Sequence, residues 1–135
     1  MKPFEGTRVV LWAGWPEALA AVGETLSKLG CRVQSVDSLE QVRRAIEGNR
    51  PGLIVAQLCY CFRQPLELLR RLRSAESPPP VLVVSTGSDV GLYIEAMRLG
   101  AFDCVGYPVD QRELIRIVSR ALETQLGEAA KGVGR

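Results

Sequence analysis

Thiols are the most reactive side chains of this 135-residue chain, which has four cysteines and no histidine. Cys59 and Cys61 form a C-x-C pair, a spacing that raises the question of metal or redox chemistry. Zinc sites normally need four nitrogen or sulfur ligands, and the redox motif of disulfide oxidoreductases is spaced C-x-x-C. We therefore expect Cys31, Cys59, Cys61 and Cys104 to be free thiols in packing or loop positions, with no metal or redox role.

Catalytic chemistry has little support in the remaining residues. Without histidine, the Ser–His and Cys–His pairs that activate a nucleophile are excluded. No G-x-G-x-x-G motif follows an apolar run, so a dinucleotide site is not expected. The sequence predicts a chain that is not an enzyme and that carries no cofactor.

Charge and hydropathy limit the partners. The net charge is only +2, and the sequence has no run of basic residues of the kind that binds nucleic acid. Direct nucleic-acid binding is therefore not expected. No apolar run approaches the roughly 18 residues that span a bilayer. The N-terminus is too short and polar for a signal peptide, so we expect a cytoplasmic protein that does not bind membranes.

The pattern of apolar residues predicts the elements that position any site. Continuous apolar runs at 9–13, 53–58 and 81–86 predict strands buried on both faces. More polar runs at 32–36 and 103–107 predict edge strands, and helical periodicity fills the segments between. Strict alternation predicts an α/β, flavodoxin-like, doubly wound fold, with a five-stranded parallel sheet of order 2-1-3-4-5.

Capping and stop residues predict the helix boundaries. They are Pro16 and Gly30 for the first helix, Ser38 with Gln41 for the second, Asp89 and Gly100 for the fourth, and Asp110 for the fifth. Periodicity ends at Gly127. We therefore predict one domain over residues 1–126, and a flexible tail or linker to a possible output domain over residues 127–135.

Three segments together resemble the receiver domain of two-component response regulators. They are PGLIVAQL (51–58), PVLVVST (80–86) and EAMRLGAFDCVGYPVDQREL (95–114). The last follows the family pattern A-x-x-x-G-A-x-D-(aromatic)-x-x-K-P, with Gly100, Ala101, Asp103 and Pro108 in place. The resemblance extends from Arg8 to about Leu126 and implies a signalling module.

Receivers carry out phosphoryl chemistry at five positions, which the resemblance places at Ala13, Gly14, Gln57, Ser85 and Tyr107. In the family, the first two are acids that hold Mg²⁺ and the third is the phosphoacceptor aspartate. The fourth is a hydroxyl residue and the fifth is a lysine. Only Ser85 matches. The aromatic switch residue of the family corresponds to Cys104.

These substitutions remove the metal ligands and the nucleophile together. Mg²⁺ is bound through oxygen ligands, which alanine and glycine side chains lack. A glutamine amide does not form an acyl phosphate, and tyrosine is uncharged near pH 7. We therefore expect a degenerate receiver, or pseudo-receiver, that works without phosphorylation. Ser85 is expected to bond to nearby backbone, and Trp15, Gln57 and Tyr107 are candidates to fill the emptied crevice.

The resemblance also implies a protein partner or a fused output domain, usually a transcriptional one. The output surface of the family comprises the fourth helix, fifth strand and fifth helix. On it we predict apolar contacts and a basic stripe, formed by Leu92, Tyr93, Met97, Arg112, Arg116 and Arg120. Asp89 and Glu95 are the expected acidic partners in a two-fold homodimer. A solvated helix face is the alternative interpretation of the stripe.

A flavodoxin-like domain that binds a small molecule is the alternative function. A flavin phosphate loop favours Thr, Ser and Gly after the first strand, whereas WAGWP (12–16) offers one glycine. A cobalamin-binding variant would need a histidine ligand. A neutral ligand in the emptied crevice stays open.

Overall fold

A computed structural model describes residues 3–133, and it describes the side chains as far as residue 123. Five strands and five helices alternate along it. The strands are β1 (Arg8–Trp12), β2 (Arg32–Val36), β3 (Leu53–Leu58), β4 (Val81–Ser85) and β5 (Asp103–Gly106). The helices are α1 (Ala20–Lys28), α2 (Leu39–Gly48), α3 (Gln64–Leu72), α4 (Val90–Arg98) and α5 (Gln111–Val133).

All neighbouring strands pair in parallel, in the order β2-β1-β3-β4-β5. The predicted fold class is therefore confirmed. Every residue of β3 is buried, whereas β2 is largely exposed, as expected for a central and an edge strand. Because the strands are parallel, the carboxyl ends of β1, β3 and β4 lie side by side at one edge of the sheet.

The sheet separates two apolar clusters. Alternate strand residues point to opposite faces, so Trp12 and Ile54 pack on one side, and Leu11 and Val55 on the other. Helices α2, α3 and α4 cover the first cluster, and α1 and α5 cover the second. Because helices pack on both faces of the sheet, the positions of the strand ends at its carboxyl edge are fixed by the core.

Capping side chains set several helix starts as predicted. Ser38 Oγ accepts a hydrogen bond from the backbone N–H of Gln41 at 3.2 Å. The Gln41 side chain reaches back to the N–H of Asp37 at 2.8 Å, which completes a reciprocal pair one residue earlier than the usual capping box. At α4, Asp89 Oδ1 accepts from the N–H of Leu92 at 3.1 Å.

Two helix boundaries differ from the sequence expectation. Helix α1 begins at Ala20 rather than near Pro16, because turn hydrogen bonds such as Ala18 N–H to Trp15 O occupy the segment before it. Helix α5 continues to Val133, through most of the segment predicted as a tail. The boundary at residue 126 between a domain and a linker stays a prediction. Within the part of the chain described, no helix is long and apolar enough to cross a membrane.

Candidate functional site

The five positions singled out in the sequence gather at the carboxyl edge of the sheet. Ala13 and Gly14 directly follow β1, and Gln57 is the penultimate residue of β3. Ser85 ends β4, and Tyr107 directly follows β5. The fold therefore places all of them on the edge where the resemblance puts phosphoryl chemistry.

Gln57 lies at the centre of this edge and is fully buried, with 0% of its surface exposed. Its Oε1 accepts a hydrogen bond from the backbone N–H of Gly14 at 2.7 Å. Its Nε2 donates to Oγ1 of Thr86 at 3.1 Å. The neutral amide thus links β3 to the segments that follow β1 and β4, and both of its polar ends have partners.

Phe62 closes the space beside Gly14. A Cβ atom added to Gly14 would lie only 2.7 Å from Cδ1 of the Phe62 ring. The ring is buried and meets Trp12 edge-on, with centroids 5.6 Å apart and planes at 80°. Any side chain at position 14 would therefore have to displace this aromatic pair.

The residues present do not fit the Mg²⁺ ion that the resemblance implies. Ala13 and Gly14 offer no side-chain oxygen, and the Gln57 oxygen already accepts from Gly14. Phe62 fills the space that a carboxylate at position 14 would need. Among the residues whose structure is described, no group of three or more Cys, Asp or Glu side chains could hold a metal ion.

The hydroxyl groups of Ser85 and Thr86, at the end of β4, form hydrogen bonds with different partners. Ser85 Oγ donates to the backbone carbonyl of Gly87 at 2.8 Å, so this hydroxyl bonds to nearby backbone as expected. Thr86 contacts Gln57 instead. Sequence reasoning did not single out Thr86, although a hydroxyl residue at the end of a buried strand beside a buried amide is a signal that could have found it.

The aromatic residues expected to fill the crevice do not do so. Trp15 is 42% exposed and Tyr107 is 50% exposed, so this expectation was wrong for both. Phe62 takes that role, because the turn after β3 folds back with hydrogen bonds between Cys59 and Phe62 at 2.9 and 3.2 Å. Trp15, together with Ala13 and Gly14, lines a cavity of about 280 Å³ that extends to Asp37 and the start of α1.

Cys104, at the position of the aromatic switch residue, is buried in the cluster beneath α4. Burial, with a smaller contribution from the charge of Asp103, raises the pKa of the Cys104 thiol to about 11. The thiol is therefore protonated near neutral pH. A small, buried, neutral side chain has no ring to rotate between inward and outward positions.

Cys59 and Cys61 lie in the turn that follows β3, with their Sγ atoms 3.2 Å apart. Cys59 is buried and Cys61 is exposed. Burial acts to raise the pKa of Cys59, but hydrogen bonds from Cys61, Thr86 and Phe62 outweigh it and lower that pKa. The hydrogen bond to Cys59 raises the pKa of Cys61 in return.

The predicted interaction face needs one correction. Leu92 is only 4% exposed and packs in the core with Ala96, because these two residues form the inward stripe of α4. Tyr93 and Met97 are exposed as predicted. They share the outer face with two residues that the sequence analysis missed, Val90 and Ile94. The four recur at i, i+3, i+4 and i+7, and they form what is called here the α4 row.

The charges around this face are partly engaged within the chain. Arg120 forms an ion pair with Asp103 at 3.3 Å and lies over the Phe102 ring. Glu95, expected to pair between copies, instead meets Arg70 at 2.9 Å and Arg63 at 3.8 Å.

Asp89, the other expected partner, caps α4 through its Oδ1. Arg112 and Arg116 are exposed on α5. The two acids expected to form ion pairs between copies are thus both in use within the subunit.

Comparisons with known proteins agree with this architecture. The profile of the response regulator receiver domain matches residues 15–119. The C4-dicarboxylate transport transcriptional regulatory protein DctD of Pseudomonas aeruginosa is 32% identical over 124 residues, which is 91% of this chain and 27% of that protein. The transcriptional regulatory protein FixJ of Bradyrhizobium diazoefficiens is 31% identical over 106 residues, or 78% of this chain and 51% of that protein.

Solved structures show the same fold. The receiver domain of NtrX from Brucella abortus superposes with a TM-score of 0.76 at 23% identity, over 86% of this chain and 98% of that chain. The chain thus matches a whole domain of this kind, but it spans only 27% and 51% of the two transcriptional regulators.

Proposed function

The chain belongs to the response regulator receiver domain family, and from this premise we propose that it is a pseudo-receiver whose signalling does not depend on phosphorylation. The observation that carries the proposal is the buried Gln57 amide, bonded to Gly14 N–H at 2.7 Å and to Thr86 Oγ1 at 3.1 Å. It stands where the resemblance places the phosphoacceptor carboxylate.

Two features argue against phosphoryl transfer at this position. A carboxamide is neutral and does not attack a phosphoryl group as a carboxylate does. Both polar atoms of the amide are also already hydrogen-bonded, because its oxygen accepts from the backbone N–H of Gly14 and its nitrogen donates to the hydroxyl of Thr86. An incoming phosphoryl group would have to break both hydrogen bonds and would gain no covalent bond in return.

The surrounding residues offer no compensation for these losses. The phosphoryl dianion needs cationic partners, and here the family lysine is replaced by Tyr107, half of whose surface is exposed. Phe62 occupies the space beside Gly14 where a metal-binding carboxylate would project. Restoring the chemistry would therefore require repacking of the pocket as well as new charges.

We assign the output of this module to protein–protein interaction, either with a separate partner or with an output region of the same polypeptide. The support is that DctD and FixJ are transcriptional regulatory proteins, and that the chain matches only a part of each. On this proposal the chain regulates a transcriptional output, does not itself bind nucleic acid and works in the cytoplasm.

A second copy of the chain is the partner that we propose for the face formed by α4, β5 and α5. The support is the α4 row, whose four apolar side chains are between 37% and 70% exposed and recur along one side of the helix. In a two-fold dimer each row meets its own copy. Arg112 and Arg116 are exposed on α5, so on this proposal apolar contact through the row supplies most of the affinity and the arginine charges change it only slightly.

Incubation with acetyl phosphate tests phosphorylation independence. The chain, with about 10 mM Mg²⁺ present, should show no added phosphoryl mass when the intact protein is weighed. Gln57→Asp should also stay unmodified, since the metal-binding acids and the lysine are still missing. An acyl phosphate on the unchanged chain, labile to hydroxylamine, would overturn the proposal. A receiver with the full set of acids serves as the positive control.

A further inference from the structure

Cys59 and Cys61 combine proximity with access in a way that the other thiols do not. Their Sγ atoms are 3.2 Å apart, so a disulfide bond of about 2.05 Å requires an approach of about 1 Å. Cys61 is exposed and Tyr60 between the two cysteines is 77% exposed, whereas Cys59 is buried, so an oxidant reaches the pair from the Cys61 side of the turn. Cys31 and Cys104 are each buried in a separate apolar cluster.

The local hydrogen bonds shift the pKa values of the two thiols in opposite directions. Burial opposes ionisation of Cys59, but hydrogen bonds from Cys61, Thr86 and Phe62 outweigh it and lower the pKa of its thiol. Cys61 keeps its proton, because its hydrogen bond to Cys59 raises its own pKa. A thiol that ionises more readily, 3.2 Å from a thiol that keeps its proton, is the arrangement in which one sulfur attacks an oxidant and the other resolves the product.

We propose that Cys59 and Cys61 are a redox modification site, which hydrogen peroxide converts to an intrachain disulfide and a dithiol reductant restores. The Cys59 thiolate attacks one oxygen of the peroxide. The O–O bond breaks, the departing hydroxide takes a proton to leave as water, and Cys59 becomes a sulfenic acid. Cys61 then attacks the Cys59 sulfur, the S–O bond breaks, and a second water leaves with the Cys61 proton. Two thiols lose two electrons, and one peroxide becomes two waters.

The turn couples this site to the pocket beside Gln57. The backbone N–H of Phe62 donates to the carbonyl of Cys59 at 2.9 Å, and the N–H of Cys59 donates to the carbonyl of Phe62 at 3.2 Å. The Phe62 ring in turn packs over Gly14 and against Trp12. Closing the disulfide tightens the turn that carries Phe62, and so changes the packing at the end of β1. This site works whether or not the pocket accepts phosphate.

Thiol trapping with mass spectrometry tests the site. The full chain is reduced, treated with hydrogen peroxide, quenched with N-ethylmaleimide and digested with trypsin. The peptide spanning residues 45–63 holds Cys59 and Cys61 and neither of the other cysteines. It should be about 2 Da lighter after oxidation and carry no maleimide, and dithiothreitol should restore two labelled thiols. Cys31 and Cys104 should remain reduced.

Variants separate this outcome from general oxidation. Cys61→Ser, at an exposed position, should abolish the loss of about 2 Da and leave Cys59 to stop at sulfenic acid or overoxidise. Cys104→Ala should leave the disulfide intact. Two maleimides on the 45–63 peptide after oxidation, a bridge to Cys31 or Cys104, or bridges only between chains would each overturn the proposal.

The coupling to the pocket has its own readout. Oxidation should shift the amide resonances of Phe62 and Gly14 in the unchanged chain and not in Cys61→Ser. A disulfide that forms while the Gly14 amide stays unchanged would overturn the coupling. Phosphoryl transfer in the acetyl phosphate experiment would overturn phosphorylation independence and leave these thiol measurements unaffected.

Discussion

The side-chain oxygen of Gln57 lies 2.7 Å from the backbone nitrogen of Gly14, and this contact joins β3 to the segment that follows β1. The nitrogen of the same amide reaches Thr86 beyond the end of β4. One neutral side chain on β3 therefore satisfies polar groups just beyond the ends of β1 and β4, the two strands on either side of it. The two hydrogen bonds of Gln57 therefore contribute to the stability of the fold at this edge of the sheet.

Gln57→Leu should destabilise the chain by about 2 kcal/mol, because it removes the buried amide that bonds to the N–H of Gly14 and to the hydroxyl of Thr86. Chemical denaturation followed by circular dichroism measures the change. Gln34→Leu is the matched control, since Gln34 is exposed and accepts from Arg8 on the surface. It should cost less than about 0.5 kcal/mol. Equal costs for the two variants would contradict a structural role for the buried amide.

Gly14→Ala should cost about 1–3 kcal/mol, because the new Cβ would approach the buried Phe62 ring to 2.7 Å. Gly106→Ala is the matched control, since a Cβ there meets nothing within 4 Å. In a double-mutant cycle, Phe62→Leu should reduce the cost of Gly14→Ala, because the smaller side chain gives the methyl group room. Additive costs would show that the two residues do not compete for space.

Periodicity and turn chemistry were enough to predict the architecture. The bounds of β2 and β3 agree with the predicted runs 32–36 and 53–58, because an exposed edge strand and a fully buried strand have distinct patterns. The caps at Ser38 and Asp89 follow from local hydrogen bonding over three residues. The residue types at the positions that the resemblance assigns to phosphoryl chemistry can be taken from the sequence alone, and the loss of that chemistry stays a prediction.

What fills the pocket could not be predicted in the same way. Phe62 reaches Gly14 only because the turn after β3 folds back over the end of β1, and 48 positions separate the two residues in the printed sequence. Trp15 follows Gly14 and Tyr107 is itself a site position, but 42% and 50% of their surfaces are exposed, so neither side chain fills the pocket. Leu92 was misplaced because one helical step of about 100° separates the inner and outer faces of α4.

Stability should fall in alkaline solution through the buried thiols. Burial raises the pKa of Cys31, and of Cys104, from 9.0 to about 11. As the pH rises past 9, the unfolded chain releases these protons first, so it binds fewer protons than the folded chain and unfolding becomes easier. The free energy of unfolding should therefore decline as the pH approaches 11, and less steeply in Cys104→Ala. Between pH 6 and 8 the free energies of unfolding of the unchanged chain and of Cys104→Ala should run parallel. If they also run parallel above pH 9, the buried Cys104 thiol does not contribute to the alkaline loss of stability.

Association through the α4 row should depend on apolar contact more than on charge. Met97→Glu should shift a concentration-dependent dimer to monomer in sedimentation velocity, because it places a charge among the apolar side chains of the row. Arg116→Glu should have a smaller effect that fades between about 100 mM and 500 mM salt. Ser88→Glu adds the same charge before α4 begins and should leave the dimer unchanged. A chain that is monomeric at high concentration under both conditions would reject this dimer.

The amide resonance of Gly14 gives the most direct test of the central claim, since this N–H bonds to Gln57, which we propose stands in place of the phosphoacceptor. A ¹⁵N-labelled sample is titrated with Mg²⁺ and then with Mg²⁺ and beryllofluoride, a phosphoryl analogue. The Gly14 and Thr86 amides should keep their positions up to about 10 mM Mg²⁺ in both series. A saturable shift of these two amides below 1 mM Mg²⁺, enlarged by beryllofluoride, would contradict a pocket that works without phosphorylation.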